Sequence, residues 1–135
     1  MSIPVEVEAL SETVARYGPE TFLLTTGADG RPHATHVVVE IDGAILRCGI
    51  GRRTARNATE QPLVSFLWPP AEPGGYSLIV DGEIVIERAD EERVGAITAT
   101  KAVLHRPAVN ALTREPANGS DCVRVAAPGT GSVES

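Results

Sequence analysis

Short runs of apolar and β-branched residues, broken by turn-forming pairs, fill most of the chain. The first stretch differs. Val7, Leu10, Val14 and Tyr17 recur at spacings of three and four, which puts them on one face of a short helix. Gly18 and Pro19 stop it. The run TFLLTTG then predicts a strand, ADGRP a tight corner, and HATHVVVEI a second strand. A second Asp-Gly pair, Asp42 and Gly43, turns the chain into a third strand, AILRCGI. Two-residue corners cannot join parallel strands, so this meander is antiparallel.

Beyond it, RRTARNATEQP is helix-compatible and ends at Pro62. LVSFLW is a fourth strand, and PPAEPGG is a loop with no room for regular structure. YSLIVDGEIVIER reads as a hairpin cornered at Asp81-Gly82 or as one bent strand, and the bend is preferred. DEERVGAITATKA opens like an acidic helical turn and then loses any clear period. The last strand comes from VLHRPA or from DCVRVAAP. About six strands, tight turns and two small helices predict a mainly β fold, a barrel or strongly bent sheet with helical plugs. Residues 1–127 are expected to form one domain, with 128–135 a disordered tail.

Composition narrows the function classes. The chain has 135 residues and a net charge of −6, which speaks against nucleic acid or an anionic membrane as partner. Aromatics are 4% of residues, too few for a stacking platform. No run approaches the roughly 18 apolar residues of a membrane span, and the N-terminal residues lack a basic, apolar leader. Cys48 and Cys122 fall in no metal-binding spacing, so reduced thiols and a cytoplasmic setting are expected.

Against the acidic background, GIGRRTARN (residues 49–57) concentrates Arg52, Arg53 and Arg56 around Thr54. Arginine forks fit phosphate oxygens, Gly49 and Gly51 permit close backbone approach, and a helix start adds free N–H groups. A solvated run, with Arg56 paired to Glu60 one turn on, is the competing reading. His33 and His36, at odd spacing on one strand, point to opposite faces and cannot share a metal. No catalytic acid, base or nucleophile motif is present, so any hard chemistry is expected from a cofactor.

The segment from FLLTTGADGRPHATHVVVEIDG through AILRCGIGRRTARNATEQPLVSFLW resembles the pyridoxamine 5′-phosphate oxidase-like split-barrel superfamily. The likeness runs from about Thr21 to Ile86 and rests on the order strand, Asp-Gly corner, two strands, then a basic segment ending at Pro62. It implies a six-stranded antiparallel split barrel of Greek-key type, working as a homodimer. FMN, or alternatively the deazaflavin coenzyme or haem, would lie in a groove between subunits. By that likeness Arg52, Arg53 and Thr54 take the phosphate and Asn57 supports the turn. Thr35, His36, Val37 and Val38 run along the ring and ribityl chain, with Cys48 and Gly49 beneath. Thr54 stands where the family commonly carries lysine. The substrate is an unspecified small molecule, and the Arg- and His-rich tail of vitamin B6 oxidases is not visible.

Overall fold

The structure, a computed structural model, describes residues 1–89 and 91–107. The alternative last strand at 121–128, Cys122 and the expected tail at 128–135 lie outside the described residues. Among the described residues are seven strands and two helices: β1 (Ser2–Val5), α1 (Leu10–Tyr17), β2 (Glu20–Thr26), β3 (Pro32–Asp42), β4 (Ile45–Gly49), α2 (Arg52–Glu60), β5 (Leu63–Trp68), β6 (Ser77–Ala89) and β7 (Glu92–His105). A single 3-10 turn, Val7–Ala9, leads into α1. The predicted apolar face holds: Leu10 and Val14 are buried, and Val7 and Tyr17 pack against the same core.

Both Asp-Gly corners form as predicted. Gly30 and Gly43 take φ of 83° and 64°, values that residues with a Cβ seldom adopt. At the first corner the Arg31 N–H donates to Asp29 Oδ1 (3.0 Å), and the Gly27 N–H donates to the Arg31 carbonyl (2.9 Å). The sheet runs β1-β7-β4-β3-β2-β5-β6, and a further β6–β7 pairing closes it. The closed ring is thus β2-β3-β4-β7-β6-β5, all antiparallel. After the β2-β3-β4 meander, the chain crosses through α2 and lays β5 beside β2, which is the Greek-key order.

β6 is one bent strand, as preferred. Asp81 pairs with Lys101 and Gly82 with Ala99, leaving Thr100 as the extra bulge residue. A Cβ on Gly82 would sit 2.5 Å from the Thr98 carbonyl oxygen, so only glycine fits this close crossing. The acidic segment corrects the sequence reading. Ala89 pairs with Glu92 and Glu92 opens β7, so Glu91 and Glu92 belong to a hairpin, not a helical turn. β1 was not expected at all; it pairs with Ala102–His105 of β7.

Alternate residues of β2, β4 and β5 point inward. Leu23, Leu46, Phe66, Trp68, Leu78, Val80 and Ile97 form the fully buried centre. α2 packs Thr54, Asn57 and Ala58, spaced as one helix face, toward β2 and β6, as the plug the sequence suggested. Asn57 Nδ2 donates to Thr25 Oγ1 (3.2 Å), fixing the helix to the end of β2.

Candidate functional site

The ring of strands is not evenly stitched. β3 pairs with β2 over Pro32–Val38, but with β4 only over Val39–Asp42. The other edge of β3, from Pro32 to Val38, therefore has no partner strand among the described residues. Beyond Cys48 the chain leaves β3 through Gly49, Ile50 and Gly51 and enters α2. A gap opens between the Pro32–His33 end of that edge and α2.

Two cavities mark the ends of that edge. At the Val38 end, an open pocket of about 380 Å³ is bordered by Val38, Glu40, Arg47, Cys48, Gly49 and residues of β6 and β7. At the Pro32 end, a cleft of about 610 Å³ lies between the first Asp-Gly corner and α2, with Arg31, His33, Arg53, Arg56 and Asn57 in its walls. Val38 lies five steps along β3 from His33, about 17 Å at the usual rise.

α2 borders the larger cleft through Arg53, Arg56, Asn57 and Glu60. Its N-cap is Gly51, with no side-chain cap. The first intrahelical bond is Ala55 N–H to the Gly51 carbonyl (3.0 Å). The N–H groups of Arg52, Arg53 and Thr54 thus precede the helix ladder and point out of its positive end. A Cβ built on Gly49 or Gly51 meets nothing within 4 Å, so both glycines border open space. Arg52, Arg53 and Arg56 are exposed. The ion pairs among the described residues are His36 with Glu20 (3.0 Å) and Arg47 with Glu87 (3.5 Å), so these three arginines meet no carboxylate there. The Arg56–Glu60 pair of the competing reading does not form.

The expected site residues divide by where their side chains point. Val38 and Gly49 border the smaller cavity, and Arg53 and Asn57 the larger cleft. Arg52 is exposed at the helix start, whereas Thr54 is buried beneath it. Thr35 lies on the free-edge stretch of β3. Val37 and Cys48 face the core, so toward a ligand they offer main chain only. His36 is on the outer face, with Nε2 on Glu20 and its ring 5.5 Å from Phe22. Arg31 and His33 border the cleft from 20 or more residues upstream of Arg53; the sequence showed Arg31 only as turn chemistry and His33 only as a strand histidine unable to share a metal with His36.

Burial pushes the Cys48 thiol up to about 11. At pH 8 roughly one molecule in a thousand then carries the thiolate. Iodoacetamide at that pH should leave Cys48 unmodified in the folded protein and modify it fully in urea, read by mass spectrometry of its peptide. Because the folded thiol holds its proton more tightly than the unfolded one, its contribution to stability is present below about pH 9 and is lost as pH rises through 11.

Among the described residues, no group of three or more His, Cys, Asp or Glu could hold a metal ion. No helix there is long and apolar enough to cross a membrane.

No protein-family model matches the chain. Uncharacterized proteins of Mycobacterium bovis and Mycobacterium tuberculosis are each 33% identical to it over 139 residues, covering 92% of this chain and 96% of theirs. Solved structures share its fold. An FAD-binding protein of Mesorhizobium loti superposes with a TM-score of 0.59 at 13% identity, over 78% of this chain and 99% of that one. A structure named F-420 reductase gives 0.55 at 21%, over 64% and 90%. A haem storage protein of Vibrio cholerae gives 0.57 at 14%, over 73% and 94%. Others carry the name of pyridoxamine 5′-phosphate oxidase or its family. The chain has the fold of pyridoxamine 5′-phosphate oxidase-like split-barrel structures. It belongs to one family with the two mycobacterial proteins, which match it nearly end to end. The split of this split barrel is the unpaired edge of β3, where the meander and the α2 crossover part company.

Proposed function

We propose that the chain is a flavin-type oxidoreductase. It holds FMN by its phosphate at the start of α2, works as a homodimer with the cofactor between subunits, and moves hydride to or from a small-molecule substrate. One observation carries this reading. Arginines without ion-pair partners among the described residues stand on a glycine-bracketed helix start, beside an unpaired strand edge.

Each part has a task. The Arg52 and Arg53 forks and the first N–H groups of α2 suit a phosphate dianion. Gly49 and Gly51 leave room for the ribityl chain against the backbone. The main-chain N–H and C=O groups on the free edge at Thr35–Val38 can meet the polar rim of a ring, as a strand would. Val38 is 61% exposed and Phe22 39% on adjacent strands of the outer face, apolar area suited to a ring and a second subunit. Once bound, the cofactor supplies the two-electron chemistry that no side chain can. The protein orients it and excludes water.

A second reading has a specific support. Thr54 is buried and uncharged at the position where the resemblance expects lysine, so the charged side chains left for a monophosphate are arginines. The deazaflavin coenzyme is the alternative, and the F-420 reductase fold-mate accords with it.

Gly49→Val tests the reading. The position has open space for the side chain and no positive φ, so the melting temperature should stay within a degree or two. FMN affinity, measured by calorimetry, should fall at least tenfold. Unchanged affinity would place the ligand elsewhere. Turnover with a nicotinamide donor then separates enzyme from carrier. Tight binding with no reduction cycle would leave a carrier.

A further inference from the structure

β2 and β5 pair only from Phe22–Leu67 to Leu24–Ser65, although β2 runs on to Thr26 beside β3 and β5 begins at Leu63 beside β6. Beyond Leu24 and Ser65 the two strands therefore diverge. A pocket of about 440 Å³ lies in the wedge, and Pro32 is the wall residue it shares with the larger cleft. Two bonds outside the ladders fix which main-chain groups face it. The Val39 N–H donates to the Pro19 carbonyl (2.8 Å), so Thr21, Leu23 and Thr25 turn their main chain toward β3, and Phe22, Leu24 and Thr26 turn theirs toward β5. The Ile84 N–H donates to the Pro62 carbonyl (3.0 Å), so by the same alternation Leu63, Ser65 and Leu67 face β2. Thr26 and Leu63 stand where the next pair would be, and that pair does not form. Their carbonyls enter the wedge from opposite sides with no strand partner there among the described residues.

Among the described residues, Asp81 alone of the pocket walls carries charge. Ser65 Oγ donates to Asp81 Oδ1 (2.6 Å), and Thr100 Oγ1 donates to the Asp81 main-chain carbonyl (3.2 Å) across the bulge. These bonds fix the carboxylate and leave Oδ2 with no partner among the described residues. Lys101 is the cross-strand partner of Asp81, yet it forms no ion pair with it there and is not in the walls. Leu24, Pro32 and Leu63 supply an apolar rim, and Leu63 is 68% exposed. The wedge thus offers acceptors around one uncompensated negative charge, next to apolar surface. We propose that it binds an organic ammonium ion. The N–H groups of a primary amine cation donate to the Asp81 carboxylate and to the Thr26 and Leu63 carbonyls. Its apolar body lies against Leu24, Pro32 and Leu63. A divalent metal ion suits the wedge less well, because one carboxylate is a poor ligand set and the apolar rim contributes nothing to it. No residue of α2 is in these walls, so the site is distinct from the proposed cofactor site.

The test is an amide NMR titration of the whole protein with phenethylammonium, with phenethyl alcohol and the bare ammonium ion as controls at equal ionic strength. The alcohol lacks the charge, and the ammonium ion lacks the apolar body. Saturable shifts are expected with phenethylammonium at the amides of Thr26, Leu63, Ser65, Asp81 and Thr100. Both controls should bind at least tenfold more weakly. Asp81→Asn keeps an oxygen for the Ser65 hydroxyl and removes the charge, so it should weaken phenethylammonium at least tenfold with an unchanged circular dichroism melt. Either control binding as tightly as phenethylammonium overturns the inference. So does undiminished binding to the Asp81→Asn variant, a shift pattern centred on other residues, or no saturable shift in the wild-type protein. The comparison of the three probes on the wild-type protein decides the matter even where the variant fails to fold. None of these outcomes touches the cofactor reading, which rests on the start of α2.

Discussion

Replacing Arg52 and Arg53 together with alanine should raise the Kd for FMN by a hundredfold or more while leaving the melting temperature where it is. A charge-assisted hydrogen bond contributes about 1.5–3 kcal/mol. Both arginines are exposed, so the lower value applies, and two such bonds give about 3 kcal/mol, a factor of about 100. Stability should not follow, because neither guanidinium is buried or engaged by a carboxylate among the described residues. The remaining N–H groups at the helix start would keep some affinity, so binding weakens but does not disappear. Isothermal titration at low salt reads the change, and raising the salt should narrow the gap between wild type and variant. Equal Kd values in the two proteins would remove the electrostatic basis of the proposed function.

Trp68→Ala should have the largest effect on folding, about 3–5 kcal/mol. Trp68 is 1% exposed at the end of β5 and lies 5.7 Å from the Phe66 ring. Its Nε1–H donates to the Gly18 carbonyl (2.9 Å), where α1 ends. Truncation therefore empties the centre of the barrel and strands a backbone acceptor at the helix terminus. Domains of this size have about 5–15 kcal/mol of total stability, so the variant should lie close to unfolding at room temperature. Trp68→Phe keeps most of the volume and loses the bond, so it should cost about 1–2 kcal/mol. The chain has one tryptophan, so urea melts must be followed by circular dichroism rather than fluorescence. A loss below 1 kcal/mol for alanine would mean the barrel centre is not packed as described.

The two Asp-Gly corners and the runs between them made β2, β3 and β4 legible, because a tight turn and the strands it joins are local features. α1 was legible from its apolar spacing. β1 was not. Four residues with mostly exposed side chains become a strand only because the last turns of β7 leave an edge to pair with. β7 itself was obscured for another reason. Gly95, Ala96 and Ile97 are buried in succession, and the bulge at Thr100 shifts the alternation by one residue. A reader of periodicity finds no period there. The site divides the same way. The helix start with its glycines and arginines is contiguous and was readable, whereas the partnership of Arg31 and His33 with Arg53 and Arg56 exists only once the first corner folds back over α2. The inward aim of Val37 and Cys48 likewise depends on strand register, which the turn fixes and composition does not.

The central claim is that the gap beside β3 and the start of α2 receive a phosphate-bearing ring cofactor of flavin type. The visible absorbance spectrum of the purified protein, recorded before and after incubation with FMN, FAD and the deazaflavin coenzyme and removal of unbound ligand, tests it most directly. The account predicts that a flavin or deazaflavin band co-elutes with the wild-type protein and is lost in the Gly49→Val variant. A haem Soret band in its place, or no retained band with any of the three, would contradict it.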